Sequence, residues 1–207
     1  MKEEIRDTAT RLFLELGFKS VTMDDLADAM GISKKTIYTH FDNKTELIEA
    51  CTVGLFYKIS QGIDLICERS NNPIEELYEI KRFVMLHLNN EKASPDFQLK
   101  KYYPQIYTKL HQLQYDLMKD CVLTNLNRGI EMGIFRPNLD AGFVSRIYFS
   151  GVTSIKDENL FPRTKFPAAK LMDSYLEYHL RGIVTPEGRK ILNNIIESNK
   201  ELQSNYE

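Results

Sequence analysis

Between Thr22 and Lys44 the sequence gathers side chains that donate hydrogen bonds or carry positive charge: Lys34, Lys35, Thr36, Tyr38, Thr39 and His40, followed by Lys44. On a helix starting at residue 34 they lie outside the apolar pair Ile37 and Phe41, whose i, i+4 spacing marks the inward side. Ammonium groups, hydroxyls and an imidazole displayed together suit the edges of bases and the phosphates that flank a major groove.

Such a face needs a rigid mount, and the preceding residues spell one. Thr22 can cap a short helix by accepting an otherwise orphaned backbone N–H, and Leu26, Ala27 and Met30 give that helix an apolar side. Gly31 ends it, since glycine takes the left-handed conformation at little steric cost. Ser33 then caps the second helix, and Ala27 is small where two crossing helices must approach. The alternative is a plain helical hairpin with a solvated basic face. The caps, the glycine corner, the small alanine and the polar face all agree on a helix-turn-helix instead.

Residues 22–47 resemble the DNA-binding signature of the tetracycline-repressor (TetR) family of bacterial regulators. The run Gly31-Ile-Ser-Lys-Lys-Thr-Ile-Tyr-Thr-His-Phe41, with Lys44 and Leu47 after it, is similar to that family's recognition helix and the start of its connecting helix. The resemblance implies that Thr22, Tyr38, His40 and Lys44 grip phosphates, that Lys34, Lys35 and Thr39 approach bases, and that Thr36 does either. It covers about a quarter of the chain closely; beyond that it is one of helix plan and length.

Net charge does not supply the affinity. The whole chain carries −2, and its first 47 residues hold 7 Lys and Arg against 9 Asp and Glu. Binding to nucleic acid must therefore rest on where the positive groups are placed. Cys51, Cys67 and Cys121 are odd in number and lack CxxC spacing, which argues for packed thiols over a disulfide framework or zinc site. Charge throughout residues 1–20 predicts no signal peptide, and no apolar run approaches membrane-spanning length, so a soluble cytoplasmic protein is expected.

The chain reads as all helix. Ile5, Ala9, Leu12, Phe13 and Leu16 mark a first helix over 3–16, stopped by Gly17, and Phe18 and Val21 complete a three-helix core. Lys44 opens a long helix to about Arg69, striped by Leu47, Cys51, Leu55, Ile59, Ile63 and Ile66. Pro73 starts another to about Asn90, Ser94-Pro95 caps a short one through Leu99, and a long one runs from Gln105 to about Met132. Further helices are expected over 140–155, 168–181 and from Pro186 onward. The spacing predicts an N-terminal helix-turn-helix domain over 1–47 and a larger helical domain over 48–207.

Small residues on the 140–155 helix invite close packing, and Leu171, Met172 and Tyr175 lie on the 168–181 helix. Family resemblance implies that two such helices from each of two chains form a four-helix bundle, with Gly142, Ile147, Gly151, Leu171, Met172 and Tyr175 at the interface. A two-fold dimer also reads two half-sites at once. The alternative is that both helices pack within one chain. The resemblance further implies an effector pocket among the helices of 73–155, for which the aromatic excess suggests Phe83, His87, Tyr103, Tyr107, His111 and Met118. No HExxH, GxSxG, P-loop or dinucleotide-binding run is present, and no metal or cofactor is expected. The function expected is a homodimeric repressor released from operator DNA by a small hydrophobic or amphipathic effector. Its rivals are a DNA binder without an effector, and a helical ligand-binding protein or enzyme with a vestigial helix-turn-helix.

Overall fold

The computed structural model describes residues 1–88 and 95–204, apart from the side chains of residues 168, 169 and 200–204. The expected helix end near Asn90 and the Ser94 cap lie outside the described residues. Within them the regular structure is ten α-helices: α1 (Lys2–Leu16), α2 (Met23–Met30), α3 (Lys34–Tyr38), α4 (Lys44–Arg69), α5 (Pro73–His87), α6 (Pro95–Tyr102), α7 (Pro104–Glu131), α8 (Ala141–Ser154), α9 (Ala168–Ile183) and α10 (Pro186–Ser204). The described residues form no strand; the single isolated bridge joins Phe135 and Val184. The chain divides into two compact units, Met1–Gly62 with Val84–Gln114, and Ile63–Phe83 with Tyr115–Glu207.

In the first unit the predicted stripe of α1 is buried at Ile5, Ala9 and Phe13, together with Phe18, Val21, Leu26, Ala27, Ile37, Phe41 and Leu47. Leu16 departs from the expectation and is exposed. It is the last residue of α1, and the core near that end is filled by Phe13 and Phe18, whose rings pack 5.3 Å apart. Fully buried Ile48 lay outside the predicted stripe of α4.

The unit that holds the helix-turn-helix is larger than residues 1–47. Leu99, Ile106 and Leu110, from α6 and the first half of α7, share its buried core. The Lys19 N–H donates to Gln98 Oε1 at 3.1 Å, and Tyr103 meets Phe18 edge-on at 6.3 Å. Apolar burial at about 25 cal/mol per Å2 makes these contacts an integral part of that core.

The second unit is built on Ile74, Leu77, Tyr78, Val122, Leu126, Phe135, Leu176, Leu180 and Leu192. One charged group is buried within it. Glu76 is only 1% exposed and receives Arg128 Nη1 at 2.6 Å and Asn125 Nδ2 at 2.7 Å. Arg128 Nη2 also donates to the Ser70 carbonyl at 2.7 Å, so both ends of the guanidinium are engaged and the start of α5 is tied to α7. A carboxylate this deep persists only when paired and hydrogen-bonded.

Candidate nucleic-acid interface

The corner between α2 and α3 is fixed at both ends. Thr22 Oγ1 accepts the Asp25 N–H at 3.1 Å, and the Thr22 N–H and hydroxyl both donate to Asp25 Oδ2 at 2.8 Å, a closed capping box. These bonds hold the Asp25 carboxyl below its usual range. Gly31 ends α2 at φ 63°, ψ 32°, where a side chain would be strained. Ser33 Oγ accepts the Thr36 N–H at 3.1 Å and starts α3. That helix is shorter than the 34–41 span read from sequence. It ends at Tyr38, although Phe41 still donates to the Ile37 carbonyl at 3.1 Å, so the i, i+4 seat of Ile37 and Phe41 in the core survives.

The predicted contact residues are not equally available. Lys35, Tyr38 and Thr39 are exposed, with Ile37 beneath them. Thr39 Oγ1 donates to the Thr36 carbonyl at 2.6 Å, and Thr36 Oγ1 lies 2.8 Å from Ser33 Oγ, so both hydroxyls already have local partners. Lys34 is paired with Asp24 at 2.8 Å, and this pair is exposed on both sides. The hydrogen bond it donates to that carboxylate holds the Lys34 ammonium above its ordinary value. Contact with a phosphate or base by Lys34 therefore requires it to leave the Asp24 carboxylate. Thr22 is exposed but spends its hydroxyl on the capping box. His40 and Lys44 are half-buried, and burial pulls the Lys44 ammonium down from its ordinary value.

Two features here were not read from the sequence. At the start of α4, Asn43 Oδ1 accepts the Glu46 N–H at 2.9 Å while Glu46 Oε2 accepts the Asp42 N–H at 2.6 Å. These bonds set where Lys44 begins; the Asn43-x-x-Glu46 spacing was the available signal. Lys2 places its ammonium 5.0 Å from the Phe41 ring centroid, so α1 adds a positive group beside the end of the recognition segment.

The candidate effector residues fall in different units. His87, Tyr103, Tyr107 and His111 belong to the first, and Phe83 and Met118 to the second. Tyr107 and His111 pack with ring centroids 5.6 Å apart, Tyr103 lies against Phe18, and Met118 packs on the core of its own unit. Burial raises the Tyr103 phenol above its ordinary value. A small apolar cleft between α1 and α4, lined by Thr10, Phe13, Leu14, Phe18, Cys51, Thr52 and Leu55, includes none of these six.

The six candidate interface residues of α8 and α9 also separate. Ile147 is 50% exposed and shares its face of α8 with Phe143 at 61%, while Tyr178 on α9 is 77% exposed. Leu171 is buried in its own chain. Tyr175 turns onto α8, its hydroxyl donating to the Tyr148 carbonyl at 3.0 Å. The close approach foreseen at Gly151 is made to that same ring within the chain: an added Cβ would lie 2.0 Å from Tyr175 Oη. Gly142 sits beside its own cap residue Asp140, and Met172 is half-buried. The large apolar groups turned outward here are thus Phe143, Ile147 and Tyr178, two of which were outside the predicted set.

A capped two-helix corner on a three-helix core, carrying lysines and hydroxyls outward, defines a DNA-binding regulator of the helix-turn-helix class. Residues 5–51 match the signature of the bacterial regulatory proteins of the tetR family. The chain is 27% identical over 192 residues to the HTH-type transcriptional repressor KstR2 of Mycobacterium tuberculosis, covering 89% of this chain and 93% of that one. It is also 27% identical over 129 residues to IcaR, the negative transcriptional regulator of the biofilm operon icaADBC of Staphylococcus aureus, covering 58% and 67%. The solved structure of KstR2 matches with a TM-score of 0.57 at 23% identity, over 89% of this chain and 95% of that one. SmeT, the repressor of a multidrug efflux pump of Stenotrophomonas maltophilia, matches with a TM-score of 0.69 at 19% identity, over 90% and 91%. The chain carries a TetR-type DNA-binding domain over residues 5–51. It is a DNA-binding transcriptional regulator and not an enzyme, and none of its described helices is long and apolar enough to cross a membrane.

Proposed function

We propose that the protein is a homodimeric repressor that residues 1–47 seat on operator DNA, while residues 48–207 dimerise and bind a small hydrophobic or amphipathic effector that releases it. The observation that carries the DNA half is the fixed α2–α3 corner with Lys35, Tyr38 and Thr39 turned outward from buried Ile37 and Phe41. Lys35, Thr39 and, once freed from Asp24, Lys34 read bases; Tyr38, His40, Lys44 and Lys2 hold phosphates, and Thr22 and Thr36 fix the backbone between them. The exposed Phe143, Ile147 and Tyr178 support a second copy as the partner that covers α8 and α9, because side chains of this size turned outward together mark an association surface. Two copies related by a two-fold axis place their α3 helices in successive major grooves, about 34 Å apart.

The effector reading is supported by the likeness to KstR2, whose structure is described as that of a ketosteroid transcriptional regulator. An effector switches such a dimer only by binding its two states unequally; a tenfold loss of DNA affinity corresponds to about 1.4 kcal/mol of differential binding. The unbroken helix α4, which begins at Lys44, is the element we assign to transmit it. Lys44→Ala and Lys35→Ala test the division of roles by fluorescence anisotropy on a duplex selected by the wild type and on a scrambled one. Lys44→Ala weakens both alike and reduces the salt slope by about one, whereas Lys35→Ala costs roughly 1–3 kcal/mol on the selected duplex and far less on the scrambled one. The opposite pattern overturns the assignment.

A further inference from the structure

The function described leaves two of the three cysteines unused, and their placement is not that of ordinary packed thiols. Cys67, in the last turns of α4, and Cys121, in α7, are 54 positions apart in sequence, yet their Sγ atoms lie 3.5 Å from one another in the second unit. Both are half-buried, so a small solute can reach them. A disulfide needs about 2.05 Å, a further closure of about 1.5 Å from the 3.5 Å observed. Cys51 is the internal contrast. It is buried in the first unit, its thiol donates to the Arg6 carbonyl at 3.4 Å, and burial pushes it up to about 12.

We infer that Cys67 and Cys121 form a reversible peroxide-sensitive pair whose disulfide ties α4 to α7. The two sulfurs have distinct parts. The hydrogen bond shared by the two thiols lowers the Cys67 thiol and, with burial, raises that of Cys121; the Arg128 guanidinium adds to the lowering of Cys67, and burial, Glu76 and Asp64 oppose it. Cys67 is therefore the nucleophile and Cys121 the resolving thiol. The Cys67 thiolate attacks a peroxide oxygen; with hydrogen peroxide the O–O bond breaks, hydroxide leaves and Cys67 becomes a sulfenic acid. The Cys121 sulfur then displaces that hydroxyl as water while its own proton is lost. The sum is two thiols and one hydrogen peroxide giving one disulfide and two waters.

The full-length reduced protein, treated with a few equivalents of hydrogen peroxide, quenched, denatured and alkylated, tests this. Intact mass should show three alkylated cysteines before oxidation and one after, with all three restored by dithiothreitol. The tryptic map should contain a single cross-linked pair joining the peptides of Cys67 and Cys121. In Cys121→Ser the reaction should stop at a dimedone-reactive sulfenic acid on Cys67; in Cys67→Ser, Cys121 should take up little dimedone. The wild-type peptide map stands even if a variant folds poorly. Three alkylatable thiols after oxidation, a cross-link through Cys51, or a bond between chains in place of the intramolecular one would each overturn the inference.

Discussion

Replacing Gly151 by alanine has two opposed consequences whose sum decides between packing and propensity. Alanine is the better helix former by about 1 kcal/mol, so in open space the substitution stabilises α8. Here an added Cβ would stand 2.0 Å from Tyr175 Oη and 2.2 Å from Cζ, so the ring has to leave its seat. That forfeits the hydrogen bond to the Tyr148 carbonyl at 3.0 Å, about 1 kcal/mol. It also forfeits the stack on Tyr148, at 5.8 Å and 29° between planes, worth about 0.5–1.5 kcal/mol beyond the burial of a half-buried ring. With the propensity gain set against these losses, Gly151→Ala should destabilise the protein by about 1–2 kcal/mol. Urea unfolding followed by far-ultraviolet circular dichroism measures it. In a Tyr175→Ala background the methyl meets no ring, and the same substitution should then stabilise, giving a coupling of about 2 kcal/mol or more. A Gly151→Ala protein more stable than wild type, or no coupling to position 175, would refute the reasoning.

Two further outcomes follow from buried polar groups. Arg128→Met leaves the Glu76 carboxylate in the core without its cation and should cost about 3–5 kcal/mol, whereas Glu76→Leu combined with Arg128→Met should recover much of that loss in the same unfolding assay. His179 is buried with its Nε2 unpartnered beside Tyr148 and Tyr175, and burial lowers it from near 6.5 to about 4. Between those values the unfolded chain holds the extra proton. Stability should therefore be full above pH 6.5 and fall as pH drops toward 4, by about 3 kcal/mol from this group, and His179→Leu should flatten that part of the urea-midpoint profile.

The DNA-reading corner was legible because its signals are local. Thr22, Gly31, Ser33 and the Ile37–Phe41 pair each act within five residues, and each does in the structure what its type dictates. The partners of the remaining helices were not legible. Leu99, Ile106 and Leu110 announce a buried side, but nothing in their spacing says that it is the helix-turn-helix core they meet. On α8 and α9 some large apolar residues stand on the outward side as well as the inward one, so periodicity alone does not tell that Leu171 and Tyr175 turn inward while Phe143, Ile147 and Tyr178 turn out. Glu76 and Arg128, like Cys67 and Cys121, are joined across more than fifty positions, and a pair so distant leaves no trace in a single sequence.

Sequence-specific DNA reading by a two-fold dimer is tested most directly by selection from random DNA. Purified protein is used to select from a pool of random duplexes at physiological salt, and the bound fraction is sequenced after several rounds. The expected product is an enriched inverted repeat whose half-sites are about one helical turn apart or a multiple of it, bound roughly 1,000-fold or more tighter than scrambled DNA. A pool that stays random while the protein remains folded, or enrichment of a lone half-site, would contradict it.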